Sequence, residues 1–179
     1  VLTDGKPVRV MSDSFNFIGS GYIGGILPTP VLYLLILLIV CYFIMNKTKL
    51  GRHMYAVGGN AEAAKFSGIN IKKVKFFAYA FSGLMAAIAG IVLASRMFSG
   101  QPTAGNAAEL DAIAAVVLGG TSMTGGYGRI GGTVIGALII GVLSNGLNLM
   151  GVSSFWQFIV KGIVILVAVY ADVIKRRKG

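Results

Sequence analysis

Gly51-Arg52-His53-Met54-Tyr55-Ala56-Val57-Gly58-Gly59-Asn60-Ala61-Glu62-Ala63-Ala64-Lys65-Phe66-Ser67-Gly68-Ile69 is a short basic loop set between two strongly apolar stretches. Thr29 to Asn46 before it and Phe76 to Ser95 after it contain no charged side chain. At 18 and 20 residues, each is long enough for an α-helix to cross a hydrocarbon core of about 30 Å. Between Lys47 and Lys75, seven basic residues (Lys47, Lys49, Arg52, Lys65, Lys72, Lys73, Lys75) stand against one acid, Glu62. The positive-inside rule keeps such a loop on the cytoplasmic side. The stretch therefore predicts a membrane protein and its orientation.

Composition agrees. Hydrophobic residues make up 55% of the chain and charged ones 12%, with mean hydropathy +0.79, whereas soluble domains carry about 25% charged residues. A single lipid-embedded domain is expected. The net charge of +10 does not point to nucleic acid, because eleven of the sixteen basic residues lie in the loop or in the tail Lys175, Arg176, Arg177, Lys178, where they mark topology. Cys41 is the only cysteine and sits inside an apolar span, so there is no disulfide framework and no thiol pair for a metal.

Further along, Ile130 to Val152 is uncharged, and Phe155 to Ala171 is broken only by Lys161. Parity settles what lies between. If 47–75 is inside, the span from Phe76 ends outside near Arg96, and the last span ends inside at its basic tail. The span from Ile130 then starts inside, so something between Arg96 and Arg129 must cross. The only apolar candidate is Ala107 to Ser122, which ends at Gly119-Gly120 and leads into the glycine-rich stretch Thr121 to Gly128. It reads as a short broken or partly re-entrant helix buried among its neighbours, because irregular backbone survives at membrane depth only where protein or a water-filled cavity satisfies it. The predicted fold is an all-α polytopic transmembrane bundle of about five crossings, with residues 1–28 outside, 29–174 as the membrane domain, a loop at 47–75 and a basic cytoplasmic tail at 175–179. Ala86, Gly90 and Ala94, and Gly132 with Gly136, are small residues four apart and predict close helix packing. The chain opens on Val1 with no signal-peptide pattern, as expected of the later part of a longer protein.

Catalytic signatures are missing from the sequence. It has no Gly-x-x-x-x-Gly-Lys-Ser/Thr phosphate loop, no His-Glu-x-x-His and no Cys or His cluster. His53, the one histidine, reads as a solvated loop residue rather than a triad member. Within the loop, Asn60 is a good N-cap, Glu62 sits where the helix dipole favours an acid, alanines follow, and Gly68 supplies a stop. A helix of about two turns is expected there, either idle at the interface or a knob for another protein.

Gly51-Arg52, Gly58-Gly59-Asn60-Ala61-Glu62-Ala63-Ala64, Ser67-Gly68-Ile69, the run Glu109 to Ser122 and Gly125-Gly126-Tyr127-Gly128 resemble the membrane permeases of bacterial sugar importers of the ATP-binding-cassette class. Gln101 to Gly105, Asn145 to Leu149 and Gly151 to Ser154 extend the likeness from Phe15 to Asp172. The resemblance implies a plasma (inner) membrane permease subunit for a monosaccharide, ribose first, with its C-terminus in the cytoplasm. It implies partners: ABC ATPase subunits that bind ATP and Mg, a second permease subunit, and a periplasmic or lipid-anchored sugar-binding protein. No cofactor is expected in this chain. It makes Asn60, Ala61, Glu62, Ala63, Ala64, Ser67 and Gly68 the coupling helix that meets the ATPase. Family permeases are about twice this length.

For the substrate path, the candidates are Gln101, Glu109, Asp111, Asn145 and Asn148. The two acids open the broken helix and either cap it or line the path. The two asparagines bond either a sugar or another helix. Lys161 either snorkels outward or faces the bundle, and Trp156 and Tyr127 suit a membrane-interface belt. A stand-alone secondary transporter or channel, a scaffold, and a non-functional membrane fragment remain as alternatives.

Overall fold

The structure, a computed structural model, describes residues 6–10 and 12–177. The side chains of residues 171, 172 and 175–177 lie outside the description, as do Lys178 and Gly179, so the expected basic tail is not described beyond its backbone to Arg177. In chain order the elements are β1 (Val8–Arg9), α1 (Asp13–Ser20), β2 (Tyr22–Ile23), β3 (Leu27–Pro28), α2 (Thr29–Lys47), α3 (Lys49–Gly59), α4 (Ala61–Phe66), α5 (Ile71–Arg96), β4 (Ser99–Gly100), α6 (Ala108–Leu118), α7 (Ile130–Leu149) and α8 (Ser154–Arg177). The architecture is all-α apart from two antiparallel two-residue pairings, β1 with β4 and β2 with β3. At least three helices, α2, α5 and α7, are long and apolar enough to cross a membrane, and Ser154–Tyr170 of α8 is apolar as well. The chain is thus a multi-pass membrane protein.

It divides into two compact units, one made of Val1–Gly51 and Asn70–Asn106, the other of Arg52–Ile69 and Ala107–Gly179. In the first, the uncharged run of α2 starts at Thr29-Pro30, where proline's fixed φ suits the first helical turn. Thr29 and Ser95 are fully buried although polar, and hydrogen bonds explain why. Thr29 Oγ1 donates among the carbonyls of Phe17, Ile18 and Gly21, at 2.9 to 3.1 Å. Ser95 Oγ donates to Phe15 O at 2.6 Å and accepts from the Gly19 amide at 2.7 Å. Two hydroxyls thus pin the short helix α1 to the end of α5 and the start of α2, satisfying backbone groups that would be costly to strand at this depth. Ala86 and Gly90 of α5 are exposed, and a Cβ on Gly90 would meet nothing within 4 Å. The close packing expected along Ala86, Gly90 and Ala94 is therefore not made at Ala86 and Gly90 among the described residues, while Ala94 is half-buried.

In the second unit α6 is the centre. It spans 11 residues, about 16 Å of rise, too short to cross alone, and it packs on α7 and α8. Ala114, Ala115 and Ile140 are buried there with Leu118, Val164 and Ile165 against them. Gly132 and Gly136 make the contact: a Cβ on either would overlap the carbonyl of Gly119 or of Ala115 on α6. The spacing of these two glycines predicts that approach and the structure has it. After Gly119, the backbone turns left-handed at Gly120, φ +78°, and the amides of Gly120 and Thr121 bond back to Val117 and Val116. This stop closes the orphan carbonyls of α6.

Candidate functional site

Asn60 to Gly68 fold as expected. The Asn60 side chain accepts from the Ala63 amide at 2.9 Å and so caps α4. Gly68 is left-handed at φ +79°, and the amides of Gly68 and Ile69 return to Lys65 and Ala64. Ser67 Oγ donates to Ala63 O at 3.0 Å. Hydrogen bonds thus close both ends of this helix of 6 residues. Ala64 is buried, Glu62 and Lys65 are exposed, and Phe66 is 90% exposed. Phe66 is thus a bare aromatic ring at the end of a capped helix. In the sequence Phe66 carries one signal, an aromatic residue amid alanines and charges.

One element departs from expectation. Lys49 to Gly59, read as loop, is the helix α3. Leu50, Met54 and Val57 recur at helical spacing and are partly or fully buried, while Gly51, Gly58 and Gly59 hid the pattern. These glycines serve contact rather than flexibility. The C-terminal Gly58-Gly59 of α3 lies against Gly125-Gly126, so close that a Cβ on Gly59 would lie 3.7 Å from Gly126 Cα. Tyr55, one turn earlier, donates its hydroxyl to Gly128 O at 3.0 Å. The turn from Thr121 to Gly128 is itself closed by Ser122 N to Tyr127 O, 3.0 Å, and by the Ser122 and Thr124 hydroxyls 2.9 Å apart. Arg129 stands over the exposed Tyr127 ring, 5.7 Å from its centre.

Among the substrate-path candidates, Asp111 is held by an ion pair. Lys161 faces the bundle: it is buried at 8% exposure, with Nζ 2.7 Å from Asp111 Oδ1 and 2.9 Å from Oδ2. This pair joins the first turn of α6 to α8 across 50 residues of sequence. Neither Asp111 nor Glu109 caps α6 by a hydrogen bond; the N-cap is Ala107, left-handed at φ +62°, and Glu109 is exposed. Asn148 Oδ1 accepts from Gln157 Nε2 at 2.9 Å, and the same nitrogen reaches Val152 O at 2.9 Å. Asn148 is therefore bound to the next helix, whereas Asn145 is exposed. Gln101 bonds Thr103 Oγ1 within its own turn at 3.1 Å. Trp156 is exposed at 63%, as an interface residue would be. Among the described residues no three His, Cys, Asp or Glu gather as metal ligands.

Apolar helices of membrane-crossing length, with a short glycine-packed helix held against the last two, define a multi-pass membrane protein. Residues 3–169 match the family model described as "Branched-chain amino acid transport system / permease component", and the chain belongs to that family. It is 53% identical over 174 residues to the ribose import permease protein of Bacillus subtilis, covering 96% of this chain and 54% of that one. The ribose import permease protein of Haemophilus influenzae is 52% identical over 176 residues, 96% of this chain and 54% of its own. The xylose transport system permease protein of Escherichia coli is 52% identical over 152 residues, 85% of this chain and 39% of its own. The chain spans about half the length of the ribose relatives it matches. No solved structure matches it.

Proposed function

We propose that this chain is part of the membrane permease of an ATP-driven importer that carries a monosaccharide, D-ribose first, across the bacterial plasma membrane. The observation that carries the reading is the 53% identity to a ribose import permease along 96% of the chain. The capped helix α4 supports it: a rigid two-ended knob presenting Phe66 and Glu62 suits a soluble partner. That partner is an ATPase that binds nucleotide and Mg and drives the cavity between outward and inward access. A second permease subunit completes the pore and a sugar-binding protein delivers the substrate. Asn60 to Gly68 form the coupling helix. Asn145, whose side chain is exposed and makes no hydrogen bond among the described residues, takes the sugar-facing role ahead of Asn148 and Gln101, whose side chains are engaged locally. Five crossings place 47–75 and the C-terminus in the cytoplasm.

The test is ATP-dependent uptake of radiolabelled D-ribose by proteoliposomes holding the full-length permease with its ATPase and binding protein. Uptake that proceeds without ATP would turn the reading into a stand-alone transporter or channel. Transport of D-xylose in preference to D-ribose would keep the importer and correct its substrate. Topology has its own check: a cysteine at Lys72 should be labelled only from the cytoplasmic side and one at Gly105 only from outside, and the reverse pattern would remove the five-crossing assignment.

A further inference from the structure

We propose that Gly58 and Gly59 of α3, packed on Gly125 and Gly126 of the α6–α7 turn, form a stiff joint through which displacement of α4 reaches α6 and α7. The inference rests on α4 being the coupling helix. Three observations carry it. First, Arg52–Ile69 belongs to the compact unit of Ala107–Gly179, although in sequence it is framed by α2 and α5 of the other unit. Motion of α4 therefore enters the unit that contains the short helix α6. Second, the contact is backbone on backbone. A Cβ on Gly58 would lie 2.8 Å from the Gly126 amide nitrogen, one on Gly126 would lie 2.8 Å from Gly59 Cα, and one on Gly125 would lie 2.5 Å from Gly58 O. With no side chain between the two segments there is no rotamer to yield, and close-packed matter transmits a push rather than absorbing it. Third, Tyr55 donates its hydroxyl to Gly128 O at 3.0 Å, so α3 grips the far end of the same turn and can pull as well as push.

The position of the joint suits the task. Asn60, the N-cap of α4, follows Gly59 directly, and Gly119-Gly120, the stop of α6, lies just before the turn that holds Gly125 and Gly126. The ion pair of Asp111 with Lys161 then ties the other end of α6 to α8. A shift at α4 has a continuous packed route to three helices, and both ends of the route are closed by hydrogen bonds.

The glycines offer a clean set of substitutions. Gly58 sits in a helix with no left-handed φ, so Gly58→Ala favours the helix and changes only the contact. Gly126→Ala adds the strain of φ +78° to the clash, and Gly25→Ala, outside the coupling helix, adds similar strain at φ +74° with nothing within 4 Å. In the full-length permease with its ATPase, the readouts are ATPase binding, ATP turnover and D-ribose moved per ATP hydrolysed. Gly58→Ala and Gly126→Ala should keep ATPase binding and ATP turnover within twofold while ribose moved per ATP falls at least fivefold. Gly25→Ala should leave that ratio unchanged. A purely structural defect would lower binding and turnover together, and that outcome at Gly58→Ala, or a normal ratio there, overturns the joint. If Gly58→Ala fails to insert, Tyr55→Phe decides: its ratio should fall about threefold, and an unchanged ratio overturns the proposal. Failure of the wild-type permease to bind an ATPase would instead remove the importer reading itself.

Discussion

In α7, Gly132 and Gly136 let a backbone close on the carbonyls of Gly119 and Ala115 at the end of α6, whereas in α5 the equally spaced Ala86 and Gly90 meet no such partner among the described residues. The sequence signal is the same on both helices. The difference teaches what small residues four apart mean: they permit close approach and do not supply what approaches. Lipid is as apolar as the side chains, so no hydrophobic force closes an open helix face in a membrane. What closes α7 is the geometry of the short α6 and the Asp111–Lys161 pair that holds α6 in place.

The largest effect should come from breaking that pair. Lys161→Met leaves Asp111 without its counter-charge beside a buried core and should cost about 3 kcal/mol, the lower end of the range for a broken buried pair because Asp111 keeps 39% side-chain exposure. Thermal unfolding in detergent would read this as a lowered midpoint. Lys161→Met with Asp111→Leu should recover most of the loss, since an apolar pair of similar volume has no desolvation cost. A double variant as unstable as the single one would show that α6 is held by other contacts.

Next in size are the glycines. Gly136→Ala forces a methyl into the Ala115 carbonyl and should destabilise by about 1–3 kcal/mol, as overpacked cores do. Gly90→Ala meets open space and should be neutral or stabilising by up to about 1 kcal/mol, since alanine favours helix. Equal losses at the two sites, measured in the full-length protein, would sharpen the contrast in another way, by showing that a segment beyond this chain closes on α5.

The long helices were legible because a charge-free run of membrane length has few other readings. Helix bounds came out close: α2 and α7 begin at Thr29 and Ile130 as expected. The capped α4 was legible for a local reason, since Asn60 and Gly68 each act within one turn of their own position. Helix α3 was not, because its three glycines imitate a loop until the partner at Gly125-Gly126 is known. The pairing of Lys161 with Asp111 was also out of reach: it spans 50 residues and depends on how α6 is placed. Asn148 was read as either a sugar ligand or a helix contact, and the structure gives it Gln157. Periodicity and capping report on local backbone, whereas these pairings are fixed only by tertiary contact.

A smaller effect is expected on the locally determined side. Asn60→Ala removes the acceptor for the Ala63 amide and should destabilise α4 by about 1 kcal/mol. Because the helix is short and exposed, the loss should register as faster hydrogen exchange at Ala63 and Ala64 with little change in the midpoint of global unfolding. A global midpoint shift as large as that of Gly136→Ala would mean that α4 is a structural part of its unit rather than a separately capped knob.

The smallest effect separates the two asparagines at the end of α7. Gln157 Nε2 bridges Asn148 Oδ1 and Val152 O, so Gln157→Leu gives up two hydrogen bonds at a partly exposed site. Net contributions of about 0.5–1.5 kcal/mol per bond shrink where water can replace the partner, which puts the expected loss near the lower figure. Asn148→Leu removes one of those two bonds and should cost less, and the two changes together should cost no more than Gln157→Leu alone, because the bond they share is lost only once. Asn145→Leu should leave stability unchanged and lower D-ribose uptake at sub-saturating sugar, since a site built to bond hydroxyls discriminates strongly when its polar group is lost. Additive losses for Asn148 and Gln157 would break the pairing, and unchanged uptake with Asn145→Leu would return that side chain to the lipid or to a helix beyond this chain.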